Sequence, residues 1–370
     1  MQLRNSWVAR SPHFSLFPLI LALLAMAGCG SAKPSVVCNA SSGGSCSCGG
    51  PGTSACPAEF SEVLYSAGGT NSTGLQFQIF PVNSATGTLG SPATQSNVDF
   101  GAMAITHSGQ FYYAAEDGEI YGYSIGPAGA LAQLADSPFP ANFLNPLAVT
   151  VDPTSKFLYV SDTYHSSLAG FAIDGSSGAL SAVPGSPFPN NSYTNHAAFT
   201  PSDSFLYVVD GGSDTGIAGV SGYSVNRTTG SLTAISGGSF TYPGYRSEYF
   251  DVAVHPSGDF LYFTENDGIH AFTIDQSTGS LTQISSGSLI SVPYPMQLTM
   301  NSSGTVLYVA VGGAGTIAAY SINPSTGALT EVGGMNSRLK CNSACKEYLI
   351  GGFEAEALSG GVVVAFQKVS

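Results

Sequence analysis

Leu147-Ala-Val-Thr-Val151-Asp152-Pro-Thr-Ser-Lys156-Phe157-Leu158-Tyr159-Val160-Ser161, continued through residues 168–173 and 179–183, contains one complete structural unit. Residues 147–151 are apolar and β-branched enough for a strand, Asp152-Pro-Thr-Ser155 supplies a turn, and Phe157 to Ser161 makes a second strand. A third strand over 168–173 and a fourth over 179–183 are joined by the turn 174–178. The Phe-Leu-Tyr-Val core of the unit recurs along the chain. Copies stand at Val63-Leu64-Tyr65, Phe111-Tyr112-Tyr113, Phe205-Leu206-Tyr207, Phe260-Leu261-Tyr262 and Val306-Leu307-Tyr308, with a degenerate one at Tyr348-Leu349-Ile350. Each is followed by a Tyr-Ser-Ile-like strand and then by a Thr-Gly-x-Leu or related turn. A spacing of roughly 40 to 55 residues is that of a four-stranded blade, and the chain reads as an all-β β-propeller of seven blades, with six as the alternative count.

Composition agrees. Only 9% of the 370 residues are charged and 46 are Gly, which suits many strands joined by tight turns. Complete units are expected around Gly101, Leu147, His196, Phe250 and Met296. The first unit, from Phe60, lacks an opening strand, and the last, 348–369, lacks an obvious fourth. Strands from the two ends are therefore expected to share a blade, which removes an exposed edge.

Residues 1–28 read as an export signal: Arg4 and Arg10 precede an apolar run over 14–27 that is too short for a membrane span. Met26-Ala27-Gly28-Cys29 matches the lipobox of bacterial lipoproteins, which makes Cys29 the lipidation site and the bacterial cell envelope (outer membrane, periplasm or cell surface) the expected address. An ordinary cleaved signal is the alternative. Residues 29–59, rich in Ser, Gly and Cys, form a tether, and 60–370 the propeller. Six further cysteines, Cys38, Cys46, Cys48, Cys56, Cys341 and Cys345, are expected to form disulfides in an exported chain, with the pairing left open.

A net charge of −13 argues against a nucleic-acid partner, because phosphate needs clustered Lys and Arg. After the tether the basic residues are Lys156, Arg227, Arg246, Arg338, Lys340, Lys346 and Lys368. The expected partners are the membrane, through the lipid, and a small-molecule lactone or an envelope polymer or protein. The chain is expected to be a monomer.

Strand direction sorts loops onto two faces. Turns between first and second strands, and between third and fourth, lie below; loops between second and third strands, and the connections between units, lie above. The upper face then carries His165, His196, Arg246, Glu248 and Glu265 with Asp162, Asp210, Asp214 and Asp267. His107 and His255 fall in lower turns, and His270 reads as a packed strand residue.

The stretch from His196 through Asp210-Gly-Gly212-Ser-Asp214 resembles the lactonase-type propellers, the family of bacterial 6-phosphogluconolactonase and the fungal carboxymuconate lactonizing enzyme. There a His opens an innermost strand and an Asp-x-Gly-x-Asp loop follows the second. Arg246, His255-Pro256-Ser-Gly and Tyr262-Phe-Thr-Glu265-Asn266 resemble the family's following unit, with Ser247 where the family has His and Asn266 at the family's Glu position when counted from the strand. Repeats and register match from Phe60 to about Val332. The resemblance implies His196 as acid or base, Arg246 as holder of carboxylate or oxyanion and Glu265 as a partner, with His165, Asp210, Asp214, Glu248 and Asn266 around the substrate. It implies a lactonase (a carboxylic ester hydrolase) or a lactonizing cycloisomerase. A phosphorylated sugar lactone fits poorly, since Lys156 and Arg227 lie in lower turns and Arg246 alone can face the pocket, so an unphosphorylated lactone is expected.

Plainer roles stay open for the same residues. His196 can be an interstrand hydrogen-bonding group, Arg246 and Glu248 an ion pair, and Asp210 and Asp214 loop caps. No cofactor is expected, Ca²⁺ on the upper-face acids being the alternative. A non-catalytic surface binding or scaffold propeller is the alternative function.

Overall fold

The computed structural model describes residues 60–332 apart from 71–73, 84–89, 92, 99–101, 142, 191–192, 212–216, 244–250, 266–267, 285–288, 294, 302 and 312–315, together with the backbone of three short strands outside that range. Every sheet is antiparallel. The first blade holds Phe60–Thr70, Gly74–Asn83 and Ala93–Gln95. The second runs Ala102–Ile105, Phe111–Glu116, Glu119–Ile125, Leu131–Gln133. The third runs Pro146–Val151, Phe157–Asp162, Ser167–Ile173, Leu180–Ala182, and the fourth Thr194–Phe199, Phe205–Asp210, Ile217–Val225, Leu232–Ala234. Val252–Val254, Phe260–Glu265, Gly268–Ile274 and Leu281–Gln283 form the fifth; Pro295–Met300, Val306–Val311, Thr316–Ile322 and Leu329–Glu331 form the sixth. First strands of successive blades from the second to the sixth lie against one another, as the inner wall of a propeller requires.

The Phe-Leu-Tyr-Val strand is apolar throughout because both its faces are buried, each against a different neighbour. In the third blade Leu158 and Val160 pack with Phe111 and Tyr113 of the second, while Phe157 and Tyr159 pack with Leu206 and Val208 of the fourth. Phe205 and Tyr207 repeat the arrangement against Leu261 and Phe263 of the fifth.

The motif's tyrosine and the motif's glycine meet across each junction. Tyr65, Tyr113, Tyr159, Tyr207 and Tyr262 donate their hydroxyls to the carbonyls of Gly129, Gly178, Gly230, Gly279 and Gly327 in the following blade, at 2.7, 2.7, 2.5, 2.7 and 2.8 Å. Burial pushes the ionisation of all five phenols up, which keeps them donors. Gly279 shows why glycine is needed: its φ is +74°, and a Cβ would lie 2.7 Å from Phe205 Cδ1.

Two features depart from the sequence expectation. In four blades the outer edge is split: Phe139–Pro140, Phe188–Pro189, Phe240–Pro243 and Ile290–Ser291 pair with the start of the third strand, while the expected fourth strand pairs with its end. The second is at the ends: Ala22–Leu23, within the segment read as an export signal, pairs with Ser66 and Tyr65 on the inner edge of the first sheet. The Tyr348-Leu349-Ile350 copy lies outside the described residues, as do all seven cysteines. Beyond it, Glu356–Leu358 and Gly361–Val363 form a hairpin.

Candidate functional site

His196 stands on the inner strand of the fourth blade, where the ladder slips by one residue between Thr194 and Ala197. The same slip occurs at Pro146/Ala148 and Pro295/Leu298, so this bulge is a device of the wall rather than of one residue. It turns the imidazole toward the next blade, where Nδ1 lies 3.4 Å from Oδ1 of Asp251. The two side chains are 18% and 14% exposed, so the pair is largely screened from water while remaining reachable.

Asp251 is rigidly held. Its Oδ1 accepts from the Val252 N–H at 2.8 Å and its Oδ2 from the Leu298 N–H of the sixth blade at 3.0 Å. Its own N–H donates to Thr264 Oγ1 at 2.8 Å, and that hydroxyl donates to Met296 O at 3.2 Å. Burial pushes the Asp251 carboxyl above the usual carboxylate range, opposed by His196 and the two backbone donors. Asp251 therefore joins three blades at one point of the wall. Sequence reasoning missed it, although a signal existed: Asp251 precedes Phe260 by the same nine residues that separate His196 from Phe205.

The other candidates are placed as follows. Asp210, opposite Thr194 in the ladder, is buried with Oδ2 accepting from Ser221 Oγ at 2.7 Å and Oδ1 from Asn190 Nδ2. Burial pushes it up to about 7 against those two hydrogen bonds. His165 Nδ1 is 2.5 Å from Asp162 Oδ2. Glu265 Oε2 is 2.5 Å from His270 Nε2, so its imidazole partner is His270 rather than His196. His270 does pack in its strand as expected, stacked on Phe263 with ring centroids 5.0 Å apart, but it also makes this polar contact. His255 binds Gly304 O and Ser257 Oγ, both at 2.8 Å, in a lower turn. Arg246, Glu248, Asp214, Asn266 and Cys29 lie outside the described residues. Among the described residues, no three His, Cys, Asp or Glu side chains converge as a metal site.

A blade-repeat propeller whose inner wall bears a histidine against a buried carboxylate is a scaffold suited to proton transfer. The chain belongs to the lactonase family of seven-bladed β-propellers, whose family model matches residues 149–339. Among solved structures it is similar to a proposed 6-phosphogluconolactonase from Bacteroides uniformis, at 20% identity and TM-score 0.61, over 75% of this chain and 82% of that one. A proposed 6-phosphogluconolactonase from Bacteroides fragilis gives the same values. The periplasmic gluconolactonase of Pseudomonas aeruginosa is 14% identical with TM-score 0.58, over 74% of this chain and 82% of that one. At these identities the likeness is one of fold. No curated protein sequence matches.

Proposed function

We propose that the protein hydrolyses an unphosphorylated lactone outside the cytosol, with His196 as general base and Asp251 as its positioning residue. The observation that carries this is the His196–Asp251 pair, with His196 on the inner strand of the fourth blade and Asp251 just before the inner strand of the fifth. In the tautomer that carries its proton on Nδ1, the nitrogen 3.4 Å from the carboxylate, Nε2 is the basic nitrogen for substrate. His196 takes a proton from water as the water oxygen attacks the acyl carbon. As the tetrahedral intermediate collapses, the ring C–O bond breaks and the imidazolium returns its proton to the departing alkoxide, giving the hydroxy acid. Asp251 stabilises the transient imidazolium, and Arg246 is assigned to the oxyanion. Among the described residues the basic side chains are Lys156 and Arg227, both in lower-face turns, which leaves no described partner for a substrate phosphate above.

Assays of the parent, His196→Ala and Asp251→Asn on unphosphorylated lactones test the reading. The expected result is hydrolysis by the parent, with kcat lowered about 10²- to 10⁴-fold in His196→Ala and by a smaller factor in Asp251→Asn. A parent without activity above background, or a His196→Ala variant as active as the parent, overturns it.

A further inference from the structure

Four large hydrophobic side chains are exposed among the described residues, and the backbone N–H groups of two of them, Leu144 at 62% and Tyr164 at 68%, are bonded by one buried carboxylate. Asp162 ends the second strand of the third blade and is itself 2% exposed. Its Oδ2 accepts from the Leu144 N–H at 3.2 Å, and its Oδ1 from the N–H groups of Asn145 at 3.2 Å and Tyr164 at 3.1 Å. Its remaining contact is His165 Nδ1, and the His165 ring meets Tyr164 edge-on with centroids 5.4 Å apart. The Thr163 N–H bonds Asn145 O at 3.1 Å, which ties the two loops together a second time. These bonds fix the backbone of both loops, while the Leu144 and Tyr164 side chains they carry stay uncovered and gain the fold nothing by burial.

Their place in the molecule points to an occupant. Thr163 Oγ1 donates to the carbonyl of Thr194 at 3.2 Å, and Thr194 is on the strand of His196, two residues before it. The loop that carries Tyr164 is thus bonded, through the neighbouring Thr163, to the strand that carries the proposed base, on the same upper face. We infer that Leu144 and Tyr164, steadied by Asp162 and His165, form the specificity platform of the lactone site, and that they cover an apolar substituent on the lactone ring. This rests on the lactone-hydrolase reading. It refines the substrate class from any unphosphorylated lactone to alkyl- or aryl-substituted lactones, in preference to polyhydroxylated sugar lactones, whose hydroxyls would lose water against Leu144 without a partner.

The probes are γ-nonalactone, γ-butyrolactone and D-glucono-δ-lactone, with kcat/KM measured for the parent, Tyr164→Ala, Leu144→Ala and Tyr164→Phe. The parent should prefer γ-nonalactone over γ-butyrolactone by about tenfold or more, a preference that each alanine variant cuts about three- to tenfold through KM and Tyr164→Phe retains. Both alanine sites are exposed, and unchanged melting temperatures will show that the fold is intact. Saturation-transfer NMR of γ-nonalactone binding to His196→Ala separates the two ideas. Tyr164-dependent binding without turnover in the parent sinks the hydrolase reading and keeps the platform. Equal kcat/KM for the long and short lactones, a preference for the gluconolactone, or no binding of γ-nonalactone overturns the platform.

Discussion

Asp203 is the residue at which the repeat is most visibly broken. It occupies a lower-turn position filled by Gly109, Gly258 and Gly304 in three other blades and by Ser155 in the third, all at positive φ, and itself has φ +56°. Its side chain is 3% exposed, and neither carboxyl oxygen has a hydrogen-bond partner. Burial pushes its carboxyl up from 3.8 to about 6, Asp152 adds to the shift, and Arg227 and Lys156 oppose it. A carboxyl raised on folding binds its proton more tightly in the folded chain, so its contribution to stability is full below the ordinary 3.8 and is lost as pH climbs through about 6. Asp203→Gly should therefore stabilise the protein by about 1 to 3 kcal/mol at pH 8 and by less at pH 4. Urea titrations at the two pH values measure this; a gain that is the same at both, or a loss at pH 8, would contradict it. Asp251 teaches the complementary lesson at this scale. Its offset from Phe260 was visible in the chain, but an aspartate there looks like one more loop cap until His196 of another blade is found 3.4 Å away.

At the scale of elements, the tyrosine-to-glycine bond is what converts a repeated sequence into a ring of blades. Tyr207→Phe should remove one hydroxyl and leave the Gly279 carbonyl buried without its donor, costing about 1 to 2 kcal/mol in chemical unfolding. Gly279→Ala should cost more, because its φ of +74° is unfavourable for alanine and the added Cβ would meet Phe205 and Ile235. Parent-like stability in both variants would show that the latch is dispensable. Strands themselves were legible: the third blade's are within one residue of the limits expected from turns and apolar runs, for example Ser167–Ile173 against 168–173. The split outer edge was not. Phe188–Pro189 is two residues long and contains a proline, so it carries neither alternation nor length and becomes a strand only because Leu168 and Ser167 lie alongside. The bulge at His196 is likewise invisible locally, since it is a mismatch between two strands rather than a property of either.

For the whole molecule, lipid attachment at Cys29 is proposed from the Met26-Ala27-Gly28-Cys29 motif. Cys29→Ala should move the protein from the membrane to the soluble fraction on cell fractionation, and unchanged membrane retention would count against lipidation. The sequence by itself determined the blade repeat and the sorting of loops onto two faces, because each follows from patterns of period two and from turn chemistry that act over a few residues; that sorting left His165 and His196, and the family resemblance singled out His196. Tertiary structure alone decided which groups meet. It put Asp251 of the fifth blade beside His196 of the fourth. The physical reason is that a propeller builds its site from the ends of several blades. Residues about fifty positions apart become neighbours only when their sheets pack, and no local propensity records that packing.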